Sequence, residues 1–170
     1  AWDEVEAKDY VAAMKNVERA KQLAPDNPEP YSFAGSVHYR LKQWERAYDN
    51  MVRAIELGDT ERGSRMDAVW SAIELKRYDE AVELGERYAL GLDDKTPMYQ
   101  YIAEAHLRAN RPDEAIPYLT KCLQSTPDKL YQLGRLVTAY EATGDTARAA
   151  EMQARIDAIH SAIGQLGTTE

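Results

Sequence analysis

Five alanines recur along this chain at one constant interval, and no other feature constrains its fold as strongly. They are Ala13, Ala47, Ala81, Ala115 and Ala149. Similar hexapeptides end on three of them, namely KQWERA, KRYDEA and NRPDEA. A fixed period of this length indicates tandem copies of one supersecondary unit. Because a small residue returns at the same point of each copy, we expect two helices to approach each other closely there.

Each period contains the apolar spacing of two helices. Tyr31, Ala34, Gly35 and His38 stand at i, i+3, i+4 and i+7, which is one face of a helix. Helices are predicted over 44–57, 64–75, 78–90, 97–108, 112–123, 130–142 and 146–163. No segment alternates between apolar and polar residues with period two, so the sequence predicts an all-α fold.

The period resembles that of the tetratricopeptide repeat family. The resemblance is carried by Tyr31, Ala34, Gly35, Trp44, Ala47, Ala54 and the Pro25 of the preceding loop. It implies a right-handed α–α superhelix, or solenoid, of 34-residue helix–turn–helix repeats, in which neighbouring units stack to bury their apolar faces. The predicted array covers 1–163, with a partial repeat at 1–27, repeats at 28–61, 62–95, 96–129 and 130–163, and a C-terminal tail at 164–170.

Composition narrows the classes of partner. The net charge of −8 disfavours nucleic acid, since a phosphate backbone is bound by clustered Lys and Arg. No window has the ~20 apolar residues that span a bilayer, and the first residues do not form a signal peptide. The chain begins with Ala1 instead of Met, so we expect a processed or trimmed product and leave its compartment open.

The residue types that most often take part in catalysis or bind metals are expected to have packing roles in this chain. His38 and His106 share one phase of the repeat, where an inward-facing ring is expected, and Cys122 stands where other repeats have alanine. A single cysteine allows no disulfide framework and no cysteine-based metal site. No catalytic or nucleotide-binding motif is present. We therefore expect no enzyme activity, no cofactor and no metal.

A second stripe on the first helix of each pair predicts a binding surface. It would line the concave side of a solenoid, and it holds the chain's single Phe and two of its three Trp. Large apolar side chains gathered in this way are typical of a binding groove; the alternative is that some fill the inner side against neighbouring units. The predicted groove residues are Phe33, Tyr39, Arg40, Met66, Trp70, Ile73, Tyr101, Glu104, Leu107 and Arg108. Trp2, Val5 and Glu6 are the corresponding residues of the partial repeat.

The leading hypothesis is a protein–protein interaction module. It would hold a peptide or partner segment with apolar anchors in its groove and act as a scaffold or assembly factor. The resemblance does not extend to the Lys, Asn and Arg with which some family members bind a C-terminal carboxylate, because Ser32, Ser36, Asp67 and Tyr101 occupy those positions. Two alternatives stay open: a structural array that associates with itself through its N-terminal edge, and a targeting segment of a larger enzyme.

Overall fold

A computed structural model describes residues 4–125 and 129–166 of the chain. Within these ranges the chain forms helices and no strand, so the all-α prediction is confirmed. The helices are α1 (Glu4–Leu23), α2 (Glu29–Arg40), α3 (Trp44–Glu56), α4 (Arg62–Glu74), α5 (Tyr78–Ala89), α6 (Thr96–Arg108), α7 (Pro112–Ser125), α8 (Leu130–Thr143) and α9 (Thr146–Leu166).

Helix α1 is followed by the helix pairs α2/α3, α4/α5, α6/α7 and α8/α9. This order agrees with a partial first repeat that contributes a single described helix. The second helices of the pairs begin at Trp44, Tyr78, Pro112 and Thr146, again one full period apart. Helix α9 extends to Leu166, three residues beyond the predicted end of the last repeat. Trp2 and Pro127 lie outside the described residues, and so do the side chains of Val5 and Glu6.

The chain divides into two compact units, Ala1–Leu84 and Gly85–Glu170, and the division falls within α5. Unit 1 has a core of small and medium side chains with no exposed surface, including Ala34, Ala47, Met51, Ala54, Ala68, Val69, Ala72 and Ala81. The core of unit 2 is formed by Ala103, Ala115, Leu119, Leu123, Leu133, Leu136, Ala139, Tyr140, Ala149 and Met152. Four of the five repeating alanines are thus buried, as small residues at close helix contacts should be.

The turn inside each helix pair has one conformation, which explains the repeated hexapeptides. Lys42, Lys76, Asn110 and Gly144, which stand at the same position of successive repeats, adopt left-handed backbone angles with φ of 56°, 61°, 59° and 79°. At each of them the N–H bonds to a carbonyl three residues back, and the next N–H bonds to one five residues back. These are the two hydrogen bonds of a Schellman motif, which ends a helix and satisfies its last carbonyls.

Because a side chain makes the left-handed conformation unfavourable, glycine should stabilise these turns. We expect Lys76→Gly to raise the free energy of unfolding by about 1 kcal/mol, measured by urea denaturation. Lys129→Gly is the matched control, since Lys129 is also exposed but has an ordinary φ of −73°. That substitution should leave stability unchanged or lower it. Equal effects of the two substitutions would contradict the proposed strain at Lys76.

Between α3 and α4, Asp59 stands one period after Pro25. Asp59 accepts a hydrogen bond from the Glu61 N–H at 2.7 Å and another from the Ser64 hydroxyl at 2.6 Å. An aspartate that accepts a hydrogen bond from the backbone N–H two residues later stabilises a turn. Asp59 therefore stabilises the connection between α3 and α4 without a proline.

Candidate functional site

The predicted groove residues Phe33, Arg40, Met66 and Trp70 of unit 1 lie on α2 and α4, two helices that pack on each other. Phe33 on α2 is the single phenylalanine of the chain. Although its side chain is entirely apolar, it is 47% exposed. Met66 and Trp70 on α4 are partly exposed, and Arg40 on α2 is exposed. We call Phe33, Arg40, Met66, Asp67 and Trp70 the unit-1 patch. It combines large apolar surface with one cation and one carboxyl group.

Asp67 has an unusual acidity for a surface carboxyl. It is partly buried on α4, and this loss of hydration raises its pKa to about 6. The Arg40 guanidinium acts in the opposite direction but is too weak to offset the burial. The charge of the unit-1 patch therefore changes between pH 5 and 7, because Asp67 is neutral below this range and ionised above it.

This raised pKa links the stability of the chain to pH. The folded chain holds the Asp67 proton more tightly than the unfolded chain does, so stability present at low pH is lost as pH rises through about 6. Asp67→Asn removes this loss. We expect the variant to gain about 1 kcal/mol over wild type at pH 8, since solvent screening reduces the full effect, and no more than a small difference at pH 4. Parallel stability curves between pH 4 and 8 would contradict the expectation.

Ile73 does not take its predicted place in a groove. It is 0% exposed, so no ligand can reach it and it belongs to the core of unit 1. Helical spacing predicted that Ile73 lies on the same stripe as Trp70, but neighbouring helices cover this part of α4. Tyr39 is half-buried and packs edge-to-face on Trp44, with ring centroids 5.4 Å apart. Its place in the groove stays a prediction.

The predicted residues of unit 2 surround a small cavity. Glu104, Leu107 and Arg108 on α6 line about 350 Å³ together with Arg135 and other residues of α8. Tyr101 is partly exposed on α6 but does not line this cavity. The structure thus brings together three of the four predicted residues of this unit.

Glu104 is one of the predicted groove residues, yet it is only 9% exposed. It accepts a hydrogen bond from Arg108 Nε at 2.8 Å and a second one from the Arg135 guanidinium. Two internal cations therefore neutralise this carboxylate, as buried charges require. Its role in unit 2 is to hold α6 and α8 together.

The histidine and cysteine side chains serve packing, as the sequence indicated. His106 is buried and stacks on Tyr118 with ring centroids 5.7 Å apart, and His38 bonds Gln43 Oε1 through Nδ1 at 2.7 Å. Cys122 is fully buried, its thiol donates to the Thr96 carbonyl at 3.5 Å, and burial raises its pKa to about 11. A thiol with such a pKa is a poor nucleophile.

No cluster of three or more His, Cys, Asp or Glu side chains among the described residues could hold a metal ion. Among the helices of the described ranges, none is long and apolar enough to cross a bilayer.

The sequence did not predict a second cavity, which lies in unit 1. It measures about 1260 Å³ and lies between α1, α2 and α3, and it shares no residue with the unit-1 patch. Its apolar lining includes Tyr10, Met14, Val37 and Leu41. Met14 stands where the next copy has Tyr48, but later copies have Val82 and Ile116 at this position, so the repeat gave no signal for this cavity.

Antiparallel helix pairs that repeat at a constant period and close with the same left-handed turn define a helical-repeat protein of the solenoid class. A family model described as "Anaphase-promoting complex, cyclosome, subunit 3" matches residues 6–88, and one described as "Tetratricopeptide repeat" matches 102–130. Together with the fold, these matches support a protein of the tetratricopeptide repeat family, so the predicted resemblance and fold class are confirmed. No curated protein shows significant sequence similarity to it.

Solved structures support the same fold at low sequence identity. "Crystal structure of MamA" is 14% identical and superposes with a TM-score of 0.83 over 97% of this chain and 99% of that one. MamA from Desulfovibrio magneticus RS-1 is 15% identical, with a TM-score of 0.78 over 88% and 84% of the two chains. YrrB, described as a TPR protein with an unusual peptide-binding site, is 16% identical with a TM-score of 0.67 over 82% and 72%.

Proposed function

We propose that this protein is an interaction module that holds a peptide or partner segment with apolar anchors and acts as a scaffold or assembly factor. The observation that carries the proposal is the exposure of Phe33 on α2, together with the partial exposure of Met66 and Trp70 on α4, the helix that packs on α2. Exposed apolar side chains that cluster on adjacent helices lose contact with water when a ligand covers them, and this favours binding.

The family and its solved members support this proposal at the level of class. A repeat fold presents the first helices of successive pairs as one surface, and that geometry suits an extended or helical ligand. One structural neighbour is described as having a peptide-binding site, although the site is called unusual. We assign the anchors of this chain from its own exposed residues and not from that neighbour.

The charges of the unit-1 patch define what should lie beside the apolar anchors. Arg40 offers a cation to a carboxylate of the ligand, while Asp67 offers a carboxylate to a cation above pH 6. A ligand with a basic residue next to its anchor should therefore bind more tightly at pH 8 than at pH 5. We expect affinities on the order of micromolar, because the ligand loses conformational freedom on binding.

The test is a selection of displayed random peptides on the full chain, followed by fluorescence anisotropy with the enriched peptides. Trp70→Ala should weaken their binding by about 2 kcal/mol, or roughly 30-fold in Kd, if Trp70 is an anchor. Phe33→Ala should act in the same direction. Circular dichroism should show unchanged helix content in both variants.

Glu83→Ala is the matched control, since Glu83 is exposed on α5 and lies outside the unit-1 patch. This variant should bind the enriched peptides as wild type does. Enriched peptides that bind equally well to the double variant Phe33→Ala, Trp70→Ala would show that the unit-1 patch is not the binding site.

A further inference from the structure

The cavity between α1, α2 and α3 of unit 1 has the size and lining of a groove for a polypeptide segment. Its volume of about 1260 Å³ exceeds the ~300–1,000 Å³ of common small-molecule pockets. Its apolar floor is formed by Tyr10 and Met14 on α1, Val37 on α2 and Leu41 directly after α2. Leu41 is 42% exposed, so a large apolar side chain is left facing this space.

A hydrogen bond that joins the next two copies of the repeat is absent beside this space. One period later, the Tyr48 hydroxyl donates a 2.5 Å hydrogen bond to Glu80 and ties α3 to α5. Met14 and Arg46 occupy the same two positions in the preceding copies of the repeat. A methionine has no hydroxyl to donate and an arginine has no carboxylate to accept, so this tie is missing between α1 and α3. The ring of His38 is bonded to Gln43 and does not close the space.

The rim of the groove carries the charge opposite to that of the chain. Its lining holds four cations and one carboxylate, a net charge of +3, on a chain whose net charge is −8. Lys21 is engaged with Glu18 at 2.9 Å and with Asn50 at 2.6 Å. Lys15 and Arg19 on α1 and Arg46 on α3 are exposed. Complementarity therefore requires a ligand that is negatively charged and also apolar.

We propose that this α1–α3 groove is a second docking site, which takes an acidic amphipathic helix of a partner protein. The apolar face of that helix packs on Met14, Val37 and Leu41, and its carboxylates lie against Lys15, Arg19 and Arg46. Helices bind grooves in this way through apolar side chains at i, i+3, i+4 and i+7. The groove and the unit-1 patch have no residue in common, so the proposal does not depend on the proposed function.

The experiment uses the full chain and two synthetic helical peptides of about 14 residues, or about 21 Å. Both carry leucine at i, i+3, i+4, i+7 and i+11; the remaining positions are mainly glutamate in one peptide and lysine in the other. Binding is measured by fluorescence anisotropy. We expect the glutamate peptide to bind at least tenfold more tightly than the lysine peptide, and the difference to shrink as salt is added.

Three variants locate the binding. Arg46→Glu should weaken binding of the glutamate peptide at least tenfold, whereas Phe33→Ala in the unit-1 patch should leave binding of this peptide unchanged. The double variant Met14→Tyr, Arg46→Glu restores the residue types of the next repeat. It should close the groove, raise the melting temperature and abolish binding of the glutamate peptide.

Several results would overturn the proposal. They are the absence of glutamate-peptide binding up to about 1 mM, equal binding of the two peptides, and unchanged binding to Arg46→Glu or to the double variant. Binding lost in Phe33→Ala would place the acidic peptide in the unit-1 patch instead. Self-association that depends on Arg46, measured by sedimentation, would show a second copy as the occupant, and binding of anionic vesicles in preference to the peptide would indicate a lipid surface.

Discussion

Replacing Gly85 by alanine is expected to lower the free energy of unfolding by about 1–2 kcal/mol. A Cβ atom at this position of α5 would lie 2.6 Å from Ile102 Cγ1 and 3.2 Å from Ile102 Cδ1. Ile102 is fully buried and branched at Cβ, so it cannot turn aside. The clash outweighs the roughly 1 kcal/mol that alanine gains over glycine inside a helix. Urea denaturation monitored by circular dichroism measures the change.

Gly134→Ala is the matched control for this prediction. Gly134 also lies within a helix, α8, but an added Cβ meets no atom within 4 Å. Gly134→Ala should therefore raise the free energy of unfolding by about 0.5–1 kcal/mol, from helix propensity alone. The effect of Gly35→Ala on stability should lie between the effects of these two substitutions. The Met51 atoms that lie 2.8 Å from the added Cβ belong to a flexible side chain, which can move away. A stabilising Gly85→Ala substitution would show that α5 and α6 are less closely packed than the structure indicates.

Replacing Glu104 by alanine is expected to cost about 2 kcal/mol. The substitution removes a buried carboxylate that joins Arg108 on α6 to Arg135 on α8. Arg135 then loses a charged partner from a neighbouring helix, and a space opens beside the existing cavity of unit 2. Glu104→Gln should cost less, since the amide oxygen still accepts a hydrogen bond although the charge is lost.

The matched control for this prediction is Glu56→Ala. Glu56 also pairs with an arginine, Arg53, at 3.3 Å, but both side chains are about half exposed. Exposed pairs of this kind contribute about 0–1 kcal/mol. Should Glu104→Ala prove as mild as Glu56→Ala, the Glu104 network would be a surface feature with little effect on stability.

The sequence alone was sufficient to predict the repeat and its local helical geometry. The constant spacing of the alanines predicted helix pairs and their order, because a helical period and a recurring small residue are local properties of the chain. It also located Ala47, Ala81 and Ala115 at close contacts, and all three are fully buried. The boundaries of the repeats stay a prediction, since the two compact units divide inside α5 and not between repeats.

Exposure and charge pairing at the candidate sites were decided by tertiary structure. Trp70 and Ile73 lie three residues apart on one face of α4, yet the first is partly exposed and the second is fully buried. Helical spacing tells which residues share a face, but only the neighbouring helices determine how far that face is covered. The sequence likewise does not distinguish Glu104 from the glutamates on exposed helix faces. Its buried carboxylate is paired with Arg135, which lies 31 residues away in the sequence.

The α1–α3 groove shows the same division of information. The sequence determined that Met14 and Arg46 stand where the next copies have Tyr48 and Glu80, so the hydrogen bond between those two residues cannot form here. Whether that loss is repaired by closer packing or leaves an open space depends on how α1 lies against α2 and α3. The distance between helices results from the packing of all their side chains together, so this space could be found only in the folded chain.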